Sequence, residues 1–315
     1  MDARAVTLLE PEHIAVRQLP LARRKTDDVV IDVAWSGVSA GTERLLYSGR
    51  MPTFPGMGYP LVPGYESVGT VIEASRESGF AEGDVVFVPG AQCFADMRCL
   101  FGGTASRLAV EGRRVARLPD GVGHDGTLVA LAATAHRALA RANVDPSKPL
   151  LIIGHGAVGR LVARFAKRAG AKNVTVWEHS EIRASGANGY RVMHETDDTA
   201  KDYAVAIDVS GDVAMVDVAI SRLAKNGRMV LAGFYAGRVE FAFPPAFIRE
   251  IEIVVAAEWQ RTDLDAAVNA IADDANLIKG LVTHRYDAAD AEAAYMTAFT
   301  DPTCLKMIID WGQPV

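Results

Sequence analysis

The chain has 315 residues, of which half are hydrophobic and 23% charged, so the first expectation is a folded protein of about two domains. A formal net charge of −6, with no run of Lys or Arg, excludes a nucleic-acid surface as the main function. The longest uncharged stretch, Met51 to Tyr65, is broken by Pro52, Pro55, Pro60 and Pro63 and is shorter than the roughly 20 apolar residues of a membrane span. The N-terminal Met-Asp-Ala-Arg-Ala-Val-Thr has no basic stretch followed by an apolar one, so no secretory leader is expected. Cys93, Cys99 and Cys304 are too few, and odd in number, for a disulfide framework. A cytoplasmic protein with reduced thiols is expected.

In chain order, residues 1 to about 125 read as β-rich. Val29–Trp35 and Val68–Glu73 are β-branched runs, and Val85–Val88 follows a Gly83-Asp84 turn and stops at Pro89-Gly90. Short strands with Gly and Pro punctuation predict a barrel or sandwich. The pattern changes near residue 126. Leu128–Asn143 is rich in Ala and Leu without Gly or Pro and predicts a helix. It is followed by a strand at Leu150–Ile153, a glycine-rich turn, a helix over Val158–Ala169 and a strand over Asn173–Glu178. Ala204–Val209 and Arg228–Ala232 are further strands with a helix between them. Alternating strands and helices predict a parallel sheet with crossover helices, an α/β domain over residues 131–257. The remainder, 258–315, offers helices near Asp263–Ala272 and Ala289–Phe299 and strand-like runs at Leu281–Arg285 and Leu305–Asp310. It is too small for an independent core and is expected to pack back on residues 1–130.

Gly154-His155-Gly156-Ala157-Val158-Gly159 fits G-x-G-x-x-G between a predicted strand and helix. The pattern is weak alone and informative in this context. The first glycine permits the turn, the second lets backbone approach a pyrophosphate, and the third lets the helix pack on the sheet. The helix N-terminus offers amides and a partial positive charge to phosphate. Glu178, ending the next strand, is placed to bond the adenosine ribose hydroxyls and to repel a 2′-phosphate, which predicts NAD rather than NADP. Arg183, five residues on, weakens that discrimination. His155 is expected to line the pyrophosphate cleft without a catalytic role.

A β-rich domain, a dinucleotide domain and a short return segment, in that order, resemble the medium-chain dehydrogenase/reductase superfamily over essentially the whole chain. Gly64-Tyr65-Glu66-Ser67-Val68-Gly69 is similar to that family's G-H-E-x-x-G signature except at Tyr65. The resemblance implies a GroES-like catalytic domain over 1–130 and 258–315 beside the Rossmann domain, a homodimer, and cofactor contacts at Thr134, Ser210, Gly233 and Phe234. Many relatives hold a catalytic zinc, but the matching cysteine and histidine positions here carry Ser39 and Tyr65, which are poor zinc ligands beside thiolate and imidazole. No metal is therefore expected. The long stretch from Ser39 through Arg50-Met51-Pro52 to Phe54-Pro55-Gly56-Met57-Gly58-Tyr59 resembles the branch that oxidises the 3-(1-hydroxyethyl) group of a magnesium bacteriochlorophyllide to 3-acetyl with NAD.

On that resemblance Tyr65 is the first catalytic candidate, with Glu66 as a proton acceptor or a loop anchor, and Ser39 and Thr42 as a relay or as plain turn residues. Met51, Phe54, Met57 and Tyr59 form either one wall of an apolar cleft for the macrocycle or a packed loop. Arg50 or Arg44 is a partner for the propionate. His136 and His284 read as structural. The competing readings are a zinc-free quinone or enone reductase of the same superfamily and a non-catalytic NAD(H)-binding sensor.

Overall fold

The computed structural model describes residues 1–313 and 315 and divides the chain into two units, Met1–Ala130 with Ile271–Val315, and Leu131–Ala270. The chain opens with an antiparallel hairpin of β1 (Asp2–Glu10) and β2 (His13–Pro20). Then come β3 (Asp28–Val38), the short helix α1 (Thr42–Tyr47), β4 (Ser67–Glu73), β5 (Val85–Val88), β6 (Arg107–Glu111) and β7 (Ala116–Arg117). The second unit holds α2 (Val129–Ala142), which begins at the boundary, then β8 (Leu150–Ile153), α3 (Ala157–Arg168), β9 (Val174–Trp177), α4 (Glu181–Ala184) and β10 (Arg191–Met193). It continues with β11 (Tyr203–Asp208), α5 (Ala214–Arg222), β12 (Leu223–Leu231), α6 (Phe243–Arg249), β13 (Glu252–Val255) and α7 (Arg261–Asp273). The chain then returns to the first unit as β14 (His284–Asp287), α8 (Ala291–Thr300) and β15 (Met307–Asp310).

In the first unit β3 is the organising strand. Its β-branched residues fit a pleated buried surface, and Val29, Val30, Ile31, Val33 and Ala34 are fully buried. One edge of β3 pairs with β4 along most of its length, and the other pairs first with β6 and then with the returning β15. The expected return of the last segment is thus a strand addition: Ile308 and Ile309 lie opposite Gly37 and Ser36. The core joins residues from β1, β3 to β6, α8 and β15, with Tyr295 and Trp311 almost wholly buried in it. The division falls at Ile271 rather than at 258. Residues 261–270 stay with the second unit because Asp263, at the start of α7, is held by His136 of α2 at 2.9 Å.

In the second unit six parallel strands run in the order β10-β9-β8-β11-β12-β13. This is the doubly wound Rossmann order, which reverses between β8 and β11 and opens a crevice at the strands' carboxyl ends. The four residues of β8 are buried and apolar, as a central parallel strand requires. Two differences from expectation are physical. β12 begins at Leu223, ahead of the apolar run, because its ladder to β11 resumes after an irregularity. β14 begins at His284, since Thr283 and His284 both donate amides to the Lys306 carbonyl before the ladder starts. Among the described residues no helix is long and apolar enough to cross a membrane.

Candidate functional site

The dinucleotide loop follows β8. Gly154 has φ +100°, a conformation that an L side chain resists, and a Cβ on Gly159 would strike the Gly154 carbonyl oxygen. Both glycines are required by the fold itself. Gly156 is different. Its backbone is extended, and a Cβ there would meet nothing within 4 Å. Packing does not demand this glycine, whereas a ligand lying against the backbone would. Gly156 is also the N-cap of α3, and no side chain caps that helix, so the amides around Ala157 and Val158 open onto the same side. These residues fit a dinucleotide pyrophosphate.

Ser210, Gly233 and Phe234 gather at the same carboxyl ends. Gly154 lies against Ser210, after β11, with a notional Cβ 3.4 Å from the Ser210 Cα. Gly211 in turn faces Gly233 and Phe234, after β12; a Cβ on Gly233 would come within 2.8 Å of the Gly211 Cα. Buried Asp208 fixes this turn: it accepts the Ser210 amide (2.8 Å) and hydroxyl (2.6 Å) on one oxygen and the Tyr235 hydroxyl on the other. Burial raises its pKa, and the Ser210 and Tyr235 hydrogen bonds oppose the rise. Thr134 is half-buried on α2. Glu178 follows β9 and accepts two amides, from His155 and from Ser180, both at 2.9 Å. Its carboxylate is thereby fixed beside the glycine loop.

His155 departs from its expected place. Its ring is fully buried rather than lining the cleft. Nδ1 lies 2.6 Å from the Arg183 carbonyl, which only accepts, so Nδ1 carries the proton and Nε2 accepts from the Tyr190 hydroxyl at 2.8 Å. Burial pushes its pKa down to about 4, and the ring is neutral. The Arg183 carbonyl takes a second donor, the Arg160 guanidinium, at 2.9 Å. The loop after β9 is thus tied to the start of α3 from beneath.

In the first unit the two residues at the resemblance's zinc-ligand positions meet. The Tyr65 hydroxyl donates to Ser39 Oγ at 2.6 Å, and Thr42 Oγ1 lies 3.4 Å from the same hydroxyl. Ser39 follows β3, Thr42 opens α1 and Tyr65 precedes β4, so three neighbouring elements present one hydroxyl cluster. The Tyr65 ring packs edge-on against Phe101, centroids 4.9 Å apart. Burial and the carboxylates of Glu66 and Glu43 raise its pKa well above the ordinary phenol value, against the smaller opposing effect of Ser39 and Thr42. Tyr65 is therefore a neutral phenol. A set of neutral hydroxyls does not fit zinc, which takes thiolate, imidazole or carboxylate.

Glu66 is an anchor rather than an open proton acceptor. It is 1% exposed and forms an ion pair with Lys306, itself 3% exposed, just ahead of β15. Burial raises its pKa and Lys306 opposes the rise. The pair explains Gly37, where a Cβ would meet the Glu66 carboxylate and lie 2.8 Å from Lys306 Cε. A second buried carboxylate was not anticipated. Glu43 of α1 is fully buried and accepts the Ser39 amide at 3.3 Å. Its pKa is pushed up to about 7, mainly by burial, with Tyr295 opposing. Neither Glu43 Oε2 nor the Tyr295 hydroxyl has a well-directed hydrogen bond. Lys306 was detectable as a cation inside an apolar strand-like run; Glu43 carries no such signal.

Of the proposed macrocycle wall, Met51 is 8% exposed and belongs to the core, and Met57 and Tyr59 pack against that core. The Tyr59 hydroxyl donates to the Leu46 carbonyl. Met51 is thus part of the packed loop, while Met57 and Tyr59 are half-buried against the core and keep part of their apolar surface open. Phe54 is exposed, as is Arg50, whose Nε donates to Ser48 Oγ at 3.2 Å. The three cysteines are free thiols.

Residues 25–143 match the alcohol dehydrogenase GroES-like domain. Solved structures with the same fold include L-idonate 5-dehydrogenase from Escherichia coli (TM-score 0.86, 20% identity, 99% of each chain). Another is 2R,3R-butanediol dehydrogenase from Bacillus subtilis (TM-score 0.84, 19% identity, 98% of this chain and 99% of that one). Much nearer in sequence is the 2-desacetyl-2-hydroxyethyl bacteriochlorophyllide A dehydrogenase of Rhodobacter capsulatus, 48% identical over 99% of both chains. The protein of the same name from Cereibacter sphaeroides is 45% identical, again over 99% of both. The protein is accordingly an oxidoreductase acting on CH–OH groups, and it belongs to the bacteriochlorophyllide dehydrogenase family within the medium-chain dehydrogenase/reductase superfamily.

Proposed function

We propose that the chain oxidises the 3-(1-hydroxyethyl) group of a bacteriochlorophyllide to 3-acetyl, with NAD and without zinc. The observation that carries the substrate is the 48% identity over 99% of both chains to a protein named for that reaction. The hydroxyl cluster of Tyr65, Ser39 and Thr42 supports zinc independence, since its donors suit a carbinol oxygen better than a metal.

Oxidation of a secondary alcohol removes a hydride and a proton. NAD, when bound, accepts the hydride. Gly154, Gly156, Gly159 and the first amides of α3 at Ala157 and Val158 would hold its pyrophosphate, and Glu178 its adenosine ribose. Thr134, Ser210, Gly233 and Phe234 would flank the remainder. The fixed Glu178 carboxylate supports NAD over NADP, and Arg183 opposes that preference only through its side chain, since its carbonyl holds His155 and Arg160. Tyr65, Ser39 and Thr42 bind the carbinol oxygen and stabilise charge as it develops there. Tyr65 enters as a neutral hydrogen-bonding phenol, not as a phenolate base. The released proton passes along the Tyr65, Ser39 and Thr42 hydroxyls towards solvent, while Glu43 holds the turn that presents Ser39 through its backbone amide. Glu66 positions the segment ahead of β4 that carries Tyr65 through its pair with Lys306. Phe54 is the exposed apolar residue offered to the macrocycle, and Arg50 the cation offered to its propionate. A homodimer is supported by the open edge of β13 and the exposed Phe243, Phe247, Ile248 and Val255 around it.

The test is an absorbance assay of purified protein with 3-(1-hydroxyethyl)-bacteriochlorophyllide a, with NAD or NADP, and with or without chelator. A red shift of the long-wavelength band that needs NAD and ignores chelator is the expected result. Cofactor binding without any shift would overturn the substrate, and loss of the shift in chelator would overturn zinc independence.

A further inference from the structure

At the carboxyl ends of β9 and β10, next to Glu178 but using no residue assigned above, His179, His194 and Glu195 converge. Each offers one ligand atom, and the three atoms lie within 4.8 Å of one another. His179 Nε2 is 2.8 Å and His194 Nδ1 is 3.0 Å from the same oxygen, Glu195 Oε2. The two imidazoles face each other with centroids 4.8 Å apart and planes tilted by 31°. An ordinary histidine–carboxylate contact would direct an N–H at the oxygen. Here Glu195 Oε2 is buried and has no properly directed hydrogen bond, although two ring nitrogens stand within 3.0 Å of it. His194 Nδ1 also receives the Thr196 amide at 3.3 Å, so on this side it presents a lone pair rather than a proton. An incoming cation competes with that long bond and with the Thr196 hydroxyl at 2.8 Å. The three candidate ligand atoms thus crowd one point, and an incoming ion would take the His194 lone pair from Thr196.

We propose that His179, His194 and Glu195 form a binding site for a divalent transition-metal ion. The nitrogen–oxygen separations are slightly shorter than the roughly 3.4 Å ligand–ligand edge expected for a tetrahedron with ligands about 2.1 Å from zinc, a mismatch that small side-chain rotations remove. Two imidazoles and one carboxylate select Zn²⁺, Co²⁺ or Ni²⁺ over Mg²⁺ and Ca²⁺, which prefer all-oxygen shells. The backbone that carries the ligands is well held: the Glu178 amide donates to the Met193 carbonyl at 3.0 Å, which fixes the strand ends beside one another. The His179 side chain is 51% exposed, which leaves a path for the ion and a face for water as the fourth ligand. The site belongs to the dinucleotide unit and uses none of the hydroxyls around Tyr65.

The test uses untagged full-length protein, stripped with chelator and titrated at pH 8 with Zn²⁺ against a chromophoric competitor, and separately with Co²⁺ followed by its visible spectrum. One equivalent should bind at micromolar concentration or tighter, with d–d bands and no thiolate charge-transfer band in the near ultraviolet. His179→Ala and His194→Ala should each weaken binding by at least about tenfold, with unchanged circular dichroism, while Cys99→Ser has no effect. Absence of binding below about 100 µM, binding that survives both histidine substitutions, or a thiolate band would overturn the proposal.

Discussion

Replacing Glu43 with Gln is expected to make the protein more stable at high pH and to leave it nearly unchanged at low pH. In the folded chain Glu43 has a pKa of about 7, against 4.5 for an ordinary glutamate. Below about pH 4.5 the carboxyl is protonated in both the folded and the unfolded chain, so its burial costs little. As pH rises from 4.5 towards 7 the unfolded chain releases a proton that the folded chain retains, and the folded state loses ground; above 7 the loss is complete. A difference of 2.5 in pKa, at about 1.4 kcal/mol each, corresponds to ~3 kcal/mol. Gln keeps an oxygen for the Ser39 amide and carries no charge to bury. For a unit of this size each kcal/mol moves Tm by roughly 2–4 °C, so the variant should melt roughly 6–12 °C above the parent at pH 8. The assay is differential scanning calorimetry of both proteins from pH 5 to pH 9, read as the difference in Tm. A difference that does not change with pH would refute the assignment of a raised pKa to Glu43.

Other substitutions separate the roles of neighbouring residues. Tyr65→Phe should lower kcat by about 10²–10³ while leaving the Kd for NAD unchanged, as measured by turnover and by nucleotide fluorescence. Gly156→Ala should fold normally, since a Cβ there meets nothing, yet weaken NAD at least about tenfold if a pyrophosphate lies against that backbone. Gly159→Ala should instead destabilise the chain by about 1–3 kcal/mol or more in denaturant, because its Cβ meets the Gly154 carbonyl. Lys306→Met leaves Glu66 buried and unpaired and should cost about 3–5 kcal/mol, much of it recovered in the double variant with Glu66→Gln. Glu178→Ala should reduce the ratio of NAD to NADP affinity, and an unchanged ratio would remove Glu178 from that discrimination.

The dinucleotide unit was legible because its elements are local. β8, α3 and β9 follow one another within residues 150–177, each with its own apolar pattern and with glycines at the turns. The hydroxyl cluster was legible only in part. Ser39, Thr42 and Tyr65 stood out through resemblance, yet their contacts span 23 to 26 residues and depend on how β3, α1 and β4 are juxtaposed. The Glu66–Lys306 pair joins residues 240 positions apart, and no periodicity links them. Met51 and Tyr59 were ambiguous because an apolar residue in a proline-rich loop suits either a cleft wall or a lid on the core, and only burial distinguishes the two. His155 was misplaced because a G-x-G motif fixes the backbone of its middle residue and says nothing about which way the ring turns.

The discontinuity of the first unit bears on how the chain is made. Residues 131–270 contain every strand of their own sheet and have all their partners once they have emerged from the ribosome. Residues 1–130 are synthesised earlier but wait for part of theirs: the Trp35–Val38 end of β3 has one edge open and Glu66 has no cation until β15 and Lys306 are translated. At about 5–20 residues per second the 240 residues from Glu66 to Lys306 take roughly 12–50 s. The second unit can therefore complete its sheet before the first, and the nascent chain carries an unfinished β-sheet until β15 is made. Chaperone dependence should centre on the N-terminal segment, and truncation before residue 306 should be far more damaging to residues 1–130 than its 10 lost residues suggest.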